Sequence, residues 1–570
     1  MGLAVPSRAR VLRGAPRIQR GAALIVFATV LILGVAWFTV GALNKAAPTA
    51  ADRDAKTGLA LGAAKRALLG YVAHKTADST ENSPGRLPCP ESLSQPGTAA
   101  DGVAAPVVSP SFPTCSPVGR LPWETLGIDQ LRDGYGEPLW YAVTTGTWAL
   151  VISSTTLTIN PGTANTITYN GNPAAVVAVI IAPGRAVNSL SEPGTPPTGC
   201  SNVNQQTNRY AVPYVVTNFL ECGNATGSYT TAGTAPWSND RTISITATEV
   251  MDAIAGAVAD RLQRQVAPAL NDWRTTTSVS SWGQSFMPNA STFSSSAPPT
   301  NNLCATSNVE IEGMPPTATV ASALCSTSWS SGSASGLGSL LTSSGCASNA
   351  VQLRCDFAVI LGGLATPTIT ATAPNAAYAF RSFNTATQIT ISVNFAPYTT
   401  ATIQNFAGSV SAATGAATIS FQVNFPSLSI ADTVRIRITH PVDALLADTR
   451  TAWWLNNNWD RYTYYAVSRA STANPFGSVC STAGDAGCMT VTGMTSPTND
   501  KRIVLALMGR KLSTQIWPST NESNYLEGGN ASTGDRVFDA GAVTSTFNDR
   551  IAACPFQFTP ATGSVVTICN

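Results

Sequence analysis

Charge is scarce in this chain. Only 11% of its 570 residues are Asp, Glu, Lys or Arg, and the formal net charge is +2. That balance gives no footing for nucleic-acid binding, which needs a basic patch or stripe. No lysine stands between Lys75 and Lys501, so no lysine-rich face forms there. Histidine is almost missing: His74 and His440 are the two present. A His-based triad or a zinc site in the body would rest on His440 alone, and His440 precedes Pro441, which reads as a turn. No CxxC pair, GxSxG elbow, Walker A loop, HExxH or EF-hand loop occurs. No cofactor or metal is called for, and no enzymatic activity is expected.

What is plentiful points to β-structure. Hydrophobic residues make up 44%, enough for sizeable cores, and long stretches are rich in Ser, Thr, Ala, Gly and Asn. The length allows two to four domains. The twelve cysteines are Cys89, Cys115, Cys200, Cys222, Cys304, Cys325, Cys346, Cys355, Cys480, Cys488, Cys554 and Cys569. All follow the long apolar run near the N-terminus, and their number is even, so disulfides in an oxidising compartment are expected. Pairing of sequence neighbours is the simplest expectation: 89–115, 200–222, 304–325, 346–355, 480–488 and 554–569.

That apolar run, Ala22 to Leu43, contains no charge. At about 1.5 Å per residue it would reach roughly 33 Å as a helix, enough for a bilayer core. Arg8, Arg10, Arg13, Arg17 and Arg20 precede it without an acidic residue, which places the N-terminus in the cytoplasm and the body across the membrane. The run is longer than the apolar core of a cleavable secretory signal. Beyond Pro48, Leu61, Ala64, Leu68 and Val72 recur at helical spacing, so the hydrophobic helix is expected to continue as an amphipathic spine through residue 76. The expected fold class is α+β: a long N-terminal transmembrane and spine helix, then a mainly β extracytoplasmic body with an internal duplication.

The junction Arg20-Gly21-Ala22-Ala23-Leu24-Ile25-Val26 resembles the leader junction of type IV prepilins and type II secretion pseudopilins. The resemblance implies cleavage between Gly21 and Ala22 by prepilin peptidase. It also implies packing of the spine against other pilin or pseudopilin subunits and contact with inner-membrane lipid. Most members carry Glu at the fifth mature position. Val26 stands there, a departure shared with minor and tip subunits. The implied location is the bacterial inner membrane, single-pass, with a periplasmic body that reaches the cell surface after assembly.

An internal repeat organises the body. Tyr135 with Trp140-Tyr141-Ala142-Val143 matches Trp459 with Tyr464-Tyr465-Ala466-Val467. Apolar strands then precede Gly184-Arg185 and Gly509-Arg510; Phe219-Leu220-Glu221 matches Tyr525-Leu526-Glu527; Asn239-Asp240-Arg241 matches Asn548-Asp549-Arg550. Two related modules, about 120–248 and 451–552, follow from these landmarks. The expected order is a basic leader (1–21), a transmembrane and spine helix (22–76), and a first β-rich module plus helix (77–272). Ser/Thr-rich loops with an inserted β-sandwich (273–450) and a second module (451–570) complete it. Val250, Ile254, Val258 and Leu262 mark the helix, and 366–440 carries the alternating β-formers of the sandwich.

The repeated polar residues Arg185, Glu221, Asp240, Arg241, Arg510, Glu527, Asp549 and Arg550 have two readings. Paired carboxylates can do acid–base work or hold a cation. Arg–carboxylate bridges can instead lock loops to a sheet, and that reading is preferred because ion-pair networks mimic sites. Asn456-Asn457-Asn458-Trp459-Asp460 offers oxygen atoms to calcium but lacks alternating acidic ligands. The aromatics Trp453, Trp454, Trp459, Tyr462, Tyr464 and Tyr465 read as core first and as a glycan- or partner-binding face second. The expected function is a membrane-anchored, pilin-like assembly subunit placed at a filament tip. The alternatives are a bitopic envelope protein with an adhesin-like head and, third, an envelope hydrolase.

Overall fold

In the computed structural model the described residues are 28–35, 37, 49–105, 115–150, 157–187, 205–210, 214–231, 239–270, 312–315, 331–335, 341–348, 352–373, 385–410, 417–439, 448–468, 480, 483–484, 487–517, 519, 521–532, 534–559 and 564–567. The architecture is mostly β-sheet with few helices.

The N-terminal expectation is corrected. No helix among the described residues is long and apolar enough to cross a membrane. The single-pass inner-membrane location and the transmembrane part of the fold class therefore do not stand. The long helix is Ala50–Ala77, 28 residues, and it starts afresh. Pro48 lacks an N–H, and Thr49 caps the helix: its side chain accepts from Asp52 N at 3.2 Å while its own N–H donates to Asp52 Oδ2 at 3.0 Å. This helix also carries Asp52, Arg53, Asp54, Lys56, Lys65 and Arg66, too polar for lipid. Residues 28–35 are helical and exposed. Gly21 and Ala22 lie outside the described residues.

Two antiparallel sheets with one strand order flank the central core. The first runs Val118–Arg120, Trp140–Val143, Ala178–Ala182, Arg241–Ile245. The second runs Glu312–Gly313, Thr463–Val467, Lys501–Leu507, Arg550–Thr559, with Ser564–Thr567 added at its edge. Registers coincide: Tyr141 faces Ile180 and Ile180 faces Ile243, as Tyr465 faces Leu505 and Leu505 faces Ala552. Side chains alternate across each sheet. Tyr141, Val143, Tyr465 and Val467 point into the central core, whereas Trp140, Ala142, Tyr464 and Ala466 enter separate outer cores.

Each sheet carries a helix. Leu61, Ala64, Leu68 and Val72 of Ala50–Ala77 are buried, and this helix packs on Ala178–Ala182 and Arg241–Ile245. The helix Ala247–Arg261 packs on it and on Arg550–Thr559. Thr246 and Glu249 form its capping box, and Val250, Ile254 and Val258 face the core. It continues as a π turn over Leu262–Val266 just before Pro268, whose ring would clash with the Arg264 carbonyl in a regular turn. The repeated unit thus includes a helix, which the landmarks at about 120–248 and 451–552 do not contain. Lys65 Nζ ties the two helices by donating to Glu249 Oε1 at 2.6 Å.

The sandwich inserted between the second sheet's first strand and the rest of that module has two five-stranded sheets around one core. It begins at Ser331–Ser335 and Leu341–Ser348, inside the stretch expected to be loops. Glycines and serines suit these strands because their neighbours supply the bulk: Leu353, Phe357, Ile369, Phe421 and Ile436 fill the interior. Cys346 and Cys355 face each other across its first hairpin and are bonded.

Disulfides join Cys89–Cys115, Cys346–Cys355 and Cys480–Cys488, all neighbours in sequence. Cys554 is also disulfide-bonded. Cys200, Cys304, Cys325 and Cys569 lie outside the described residues, as does His440.

Candidate functional site

The repeated carboxylates build one device twice. In the first module the backbone N–H groups of Asn239 and Asp240 donate to Glu221 Oε1, the latter at 2.7 Å. In return Asp240 Oδ2 accepts from Glu221 N and Asn224 Nδ2, both at 2.9 Å. In the second module Glu527 Oε2 accepts from Asn548 N at 2.8 Å and Asp549 N at 3.1 Å. Asp549 Oδ2 accepts from Glu527 N at 2.8 Å and Asn530 Nδ2 at 3.1 Å. Each bracket pins a loop to the start of the last sheet strand it shares with its module.

Two buried carboxylates in contact do not both ionise readily. Burial pushes the Asp240 carboxyl well up, and the Glu221 charge pushes it further; Glu221 is itself raised by burial. Asp549 is likewise raised by burial and then by Glu527. Asp240 Oδ1, Glu221 Oε2 and Asp549 Oδ1 are buried without a hydrogen-bond partner. Burial favours a proton on Asp240 and on Asp549, which lets each carboxyl donate as well as accept.

The arginines act differently from the expected bridges. Arg185 and Arg510 offer backbone oxygens, which accept from Asn239 Nδ2 at 2.6 Å and Asn548 Nδ2 at 2.8 Å. Gly184 and Gly509 allow this approach: a Cβ there would stand 2.9 Å from Asn239 O and 2.3 Å from Asn548 Oδ1. Arg241 pairs with Asp54 at 3.0 Å, tying a sheet strand to a helix, and Arg510 Nε pairs with Asp252 at 2.8 Å, tying the loop after a strand to a helix. Arg550 Nε is buried without a partner. The carboxylates find backbone N–H groups instead of guanidinium because those N–H groups end strands and need acceptors.

Asn457, the middle of the Asn triplet, ties distant stretches of chain together. Asn457 Nδ2 donates to Asn82 O at 2.6 Å and Trp453 O at 2.7 Å, and its Oδ1 accepts from Ile159 N at 3.1 Å. Trp453, Trp454, Trp459, Tyr462, Tyr464 and Tyr465 are all buried. His74 is exposed at the end of its helix.

A cavity of about 110 Å³ opens over the outer face of the first sheet. Leu93, Arg120, Arg132, Pro138, Trp140, Tyr210, Tyr214 and Phe219 line it. Phe219 is its hub: Trp140, Tyr210 and Tyr214 lie 5.0, 6.0 and 6.1 Å away, ring centre to ring centre. Arg209 stacks on the same ring at 5.7 Å and pairs with Glu137 at 3.3 Å. Tyr210 OH donates to Glu137 Oε1 at 2.6 Å. Behind Arg120 stand Glu91 at 3.8 Å and Asp101 at 3.6 Å. Burial raises fully buried Glu91 to about 7 against the opposing pull of Arg120.

The repeat landmarks in the sequence include Trp140 and Phe219, whereas Arg120, Arg132, Tyr210, Tyr214 and Glu91 carry no such signal. The available signal was the places where the two copies differ, such as Pro138 against Tyr462. No protein family, no curated protein and no solved structure matches this chain.

Proposed function

We propose that this chain is a pilin-like structural and assembly subunit whose folded part is a rigid display platform. The observation that carries the reading is the helical segment 28–35, which leaves Val30, Leu31, Ile32 and Leu33 between 53% and 67% exposed, directly after the prepilin-like junction at Gly21-Ala22. An apolar helix of this kind gains free energy by packing against like helices of neighbouring subunits. The doubled helix-on-sheet unit supports the same reading, because it makes a stiff base from which the sandwich insertion can project. Disulfides fit maturation in an oxidising compartment. Val26 in place of the usual Glu favours a minor or tip subunit.

The hydrolase alternative loses its residues. Glu221, Asp240, Glu527 and Asp549 are 8% exposed or less and accept from backbone N–H groups, which favours a structural over a catalytic use of them. The adhesin-like alternative keeps one specific support, the aromatic cavity of the first module.

N-terminal sequencing of the protein from cells with and without prepilin peptidase tests the proposal, together with a photo-crosslinking residue at Leu33. Ala22 as the peptidase-dependent N-terminus and crosslinks to pilin-type subunits are expected. An intact leader in both strains, with no such crosslinks, would refute it.

A further inference from the structure

We propose that the cavity over Trp140 binds an aromatic acid: a flat ring held among the aromatic walls, with its carboxylate against Arg120 and Arg132. The source is either a free small acid or the C-terminal aromatic residue of a peptide. This goes beyond the assembly reading and does not depend on it, because the cavity belongs to the folded first module in any setting.

The first support is unmet hydrogen bonding. Trp140 lines the cavity and is fully buried, yet its Nε1–H has no acceptor. Arg120 Nε, also buried, has none either. The Arg120 Nη1 contacts to Glu91 and Asp101, at 3.8 and 3.6 Å, are too long for hydrogen bonds. Buried donors are nearly always paired, and unpaired ones in a native fold call for a missing acceptor. A carboxylate is the acceptor that two N–H donors and a guanidinium recognise best.

The second support comes from the other copy. Tyr464 pairs with Ala506 as Trp140 pairs with Ile181, so Tyr462 occupies the place of Pro138, and Tyr525 matches Phe219 in the shared Leu-Glu context. Pro138 and Phe219 are two walls of the cavity. Their counterparts instead grip an indole: Trp517 stacks on Tyr525 at 5.0 Å and lies 5.7 Å from Tyr462. Its Nε1 donates to Asn524 O at 2.6 Å. The second module thus fills this place with its own aromatic ring, and the first leaves it open. The protein itself shows that this place takes a flat aromatic ring.

Size and charge agree. An apolar cavity of about 150 Å³ holds benzene, and the space here is about 110 Å³ with an open mouth. One six-membered ring enters; a larger fused system does not. Glu137 is engaged by Arg209 and Tyr210. Arg132 donates to the oxygens of Gly136 and Gln130, neither a carboxylate, so its positive charge is available to a monoanion.

Calorimetry and ligand-observed NMR on the full chain would use benzoate and the peptide Gly-Gly-Phe as probes, with methyl benzoate and acetate as controls. Saturable one-site binding of benzoate or Gly-Gly-Phe is expected, and whichever binds tighter identifies the source. Methyl benzoate and acetate should bind at least about tenfold more weakly. Arg132→Gln, at an exposed side chain, should weaken binding about fivefold or more. Leu93→Trp should abolish it by filling the space, with Tyr214→Trp as a second filling variant if the first does not fold. The proposal is overturned by no saturation with either probe at about 10 mM, by equal binding of methyl benzoate, or by unchanged binding in a folded filling variant.

Discussion

Replacing Asp240 by Asn should leave the fold intact, whereas replacing it by Ala should not. Asp240 Oδ2 accepts from Glu221 N and Asn224 Nδ2, both at 2.9 Å. Its Oδ1 is buried without a partner, and burial together with the Glu221 charge favours a proton on the carboxyl. An Asn amide reproduces both ends: its oxygen accepts the same two donors and its NH₂ donates where the carboxyl proton did. Asp240→Asn is therefore expected within about 1 kcal/mol of the parent at neutral pH, within the range of a single hydrogen bond. Asp240→Ala strands two buried donors at about 1–3 kcal/mol each, a loss of about 2–5 kcal/mol. The pH dependence separates the cases further. The folded-state pKa of Asp240 lies above its unfolded value of about 3.9, so its contribution is complete below that value and is lost as pH rises through the folded pKa. The slope for one proton is about 1.4 kcal/mol per pH unit. Asp240→Asn does not titrate, so its stability relative to the parent should rise with pH across that window. Urea unfolding of both variants between pH 5 and pH 9 measures this. Equal destabilisation by Asn and Ala at neutral pH, with the pH slope of the parent preserved in Asn, would refute the proton on Asp240.

Three further outcomes follow from named contacts. Removing the Cys346–Cys355 bond, which closes 9 positions of sequence, should cost the sandwich about 2–3 kcal/mol by loop entropy, read as a lower midpoint of its unfolding transition. Arg261→Lys should destabilise by about 2–4 kcal/mol: the buried guanidinium donates to Glu81 O at 2.8 Å and lies 4.1 Å from the Trp453 ring, and an ammonium cannot do both. Asn457→Ala should lower stability by about 2–4 kcal/mol through the contacts to Asn82, Trp453 and Ile159, while chelation with EDTA leaves the melting temperature unchanged; a chelator-induced drop would restore the calcium reading.

Much of the body could be read in advance because it is doubled. Landmarks such as Tyr141 with Tyr465 and Asp240 with Asp549 recur at equivalent register positions, since a residue that binds a strand end is constrained in both copies. The N-terminal reading failed for a local reason. Hydrophobic spacing on both sides of Pro48 suggested one continuous rod, but the capping box of Thr49 and Asp52 starts the Ala50–Ala77 helix as a separate, charged element. The Ser- and Gly-rich strands at 331–335 and 341–348 were illegible because they carry little apolar pattern of their own; 331–335 forms by pairing with the distant strand Thr368–Ala373, and 341–348 by pairing with the apolar alternation of Gln352–Val359.

By itself the sequence pointed to the bonds Cys89–Cys115, Cys346–Cys355 and Cys480–Cys488, and it determined the apolar faces of Ala50–Ala77 and Ala247–Arg261 and the existence of two related modules. These are matters of spacing and recurrence along one chain. Only the tertiary structure decided what the repeated carboxylates grip, which aromatic positions stay open and which are filled, and where helix begins. Each of those depends on groups brought together from distant positions, and their burial sets whether a proton, a backbone N–H or a ring is the favoured partner.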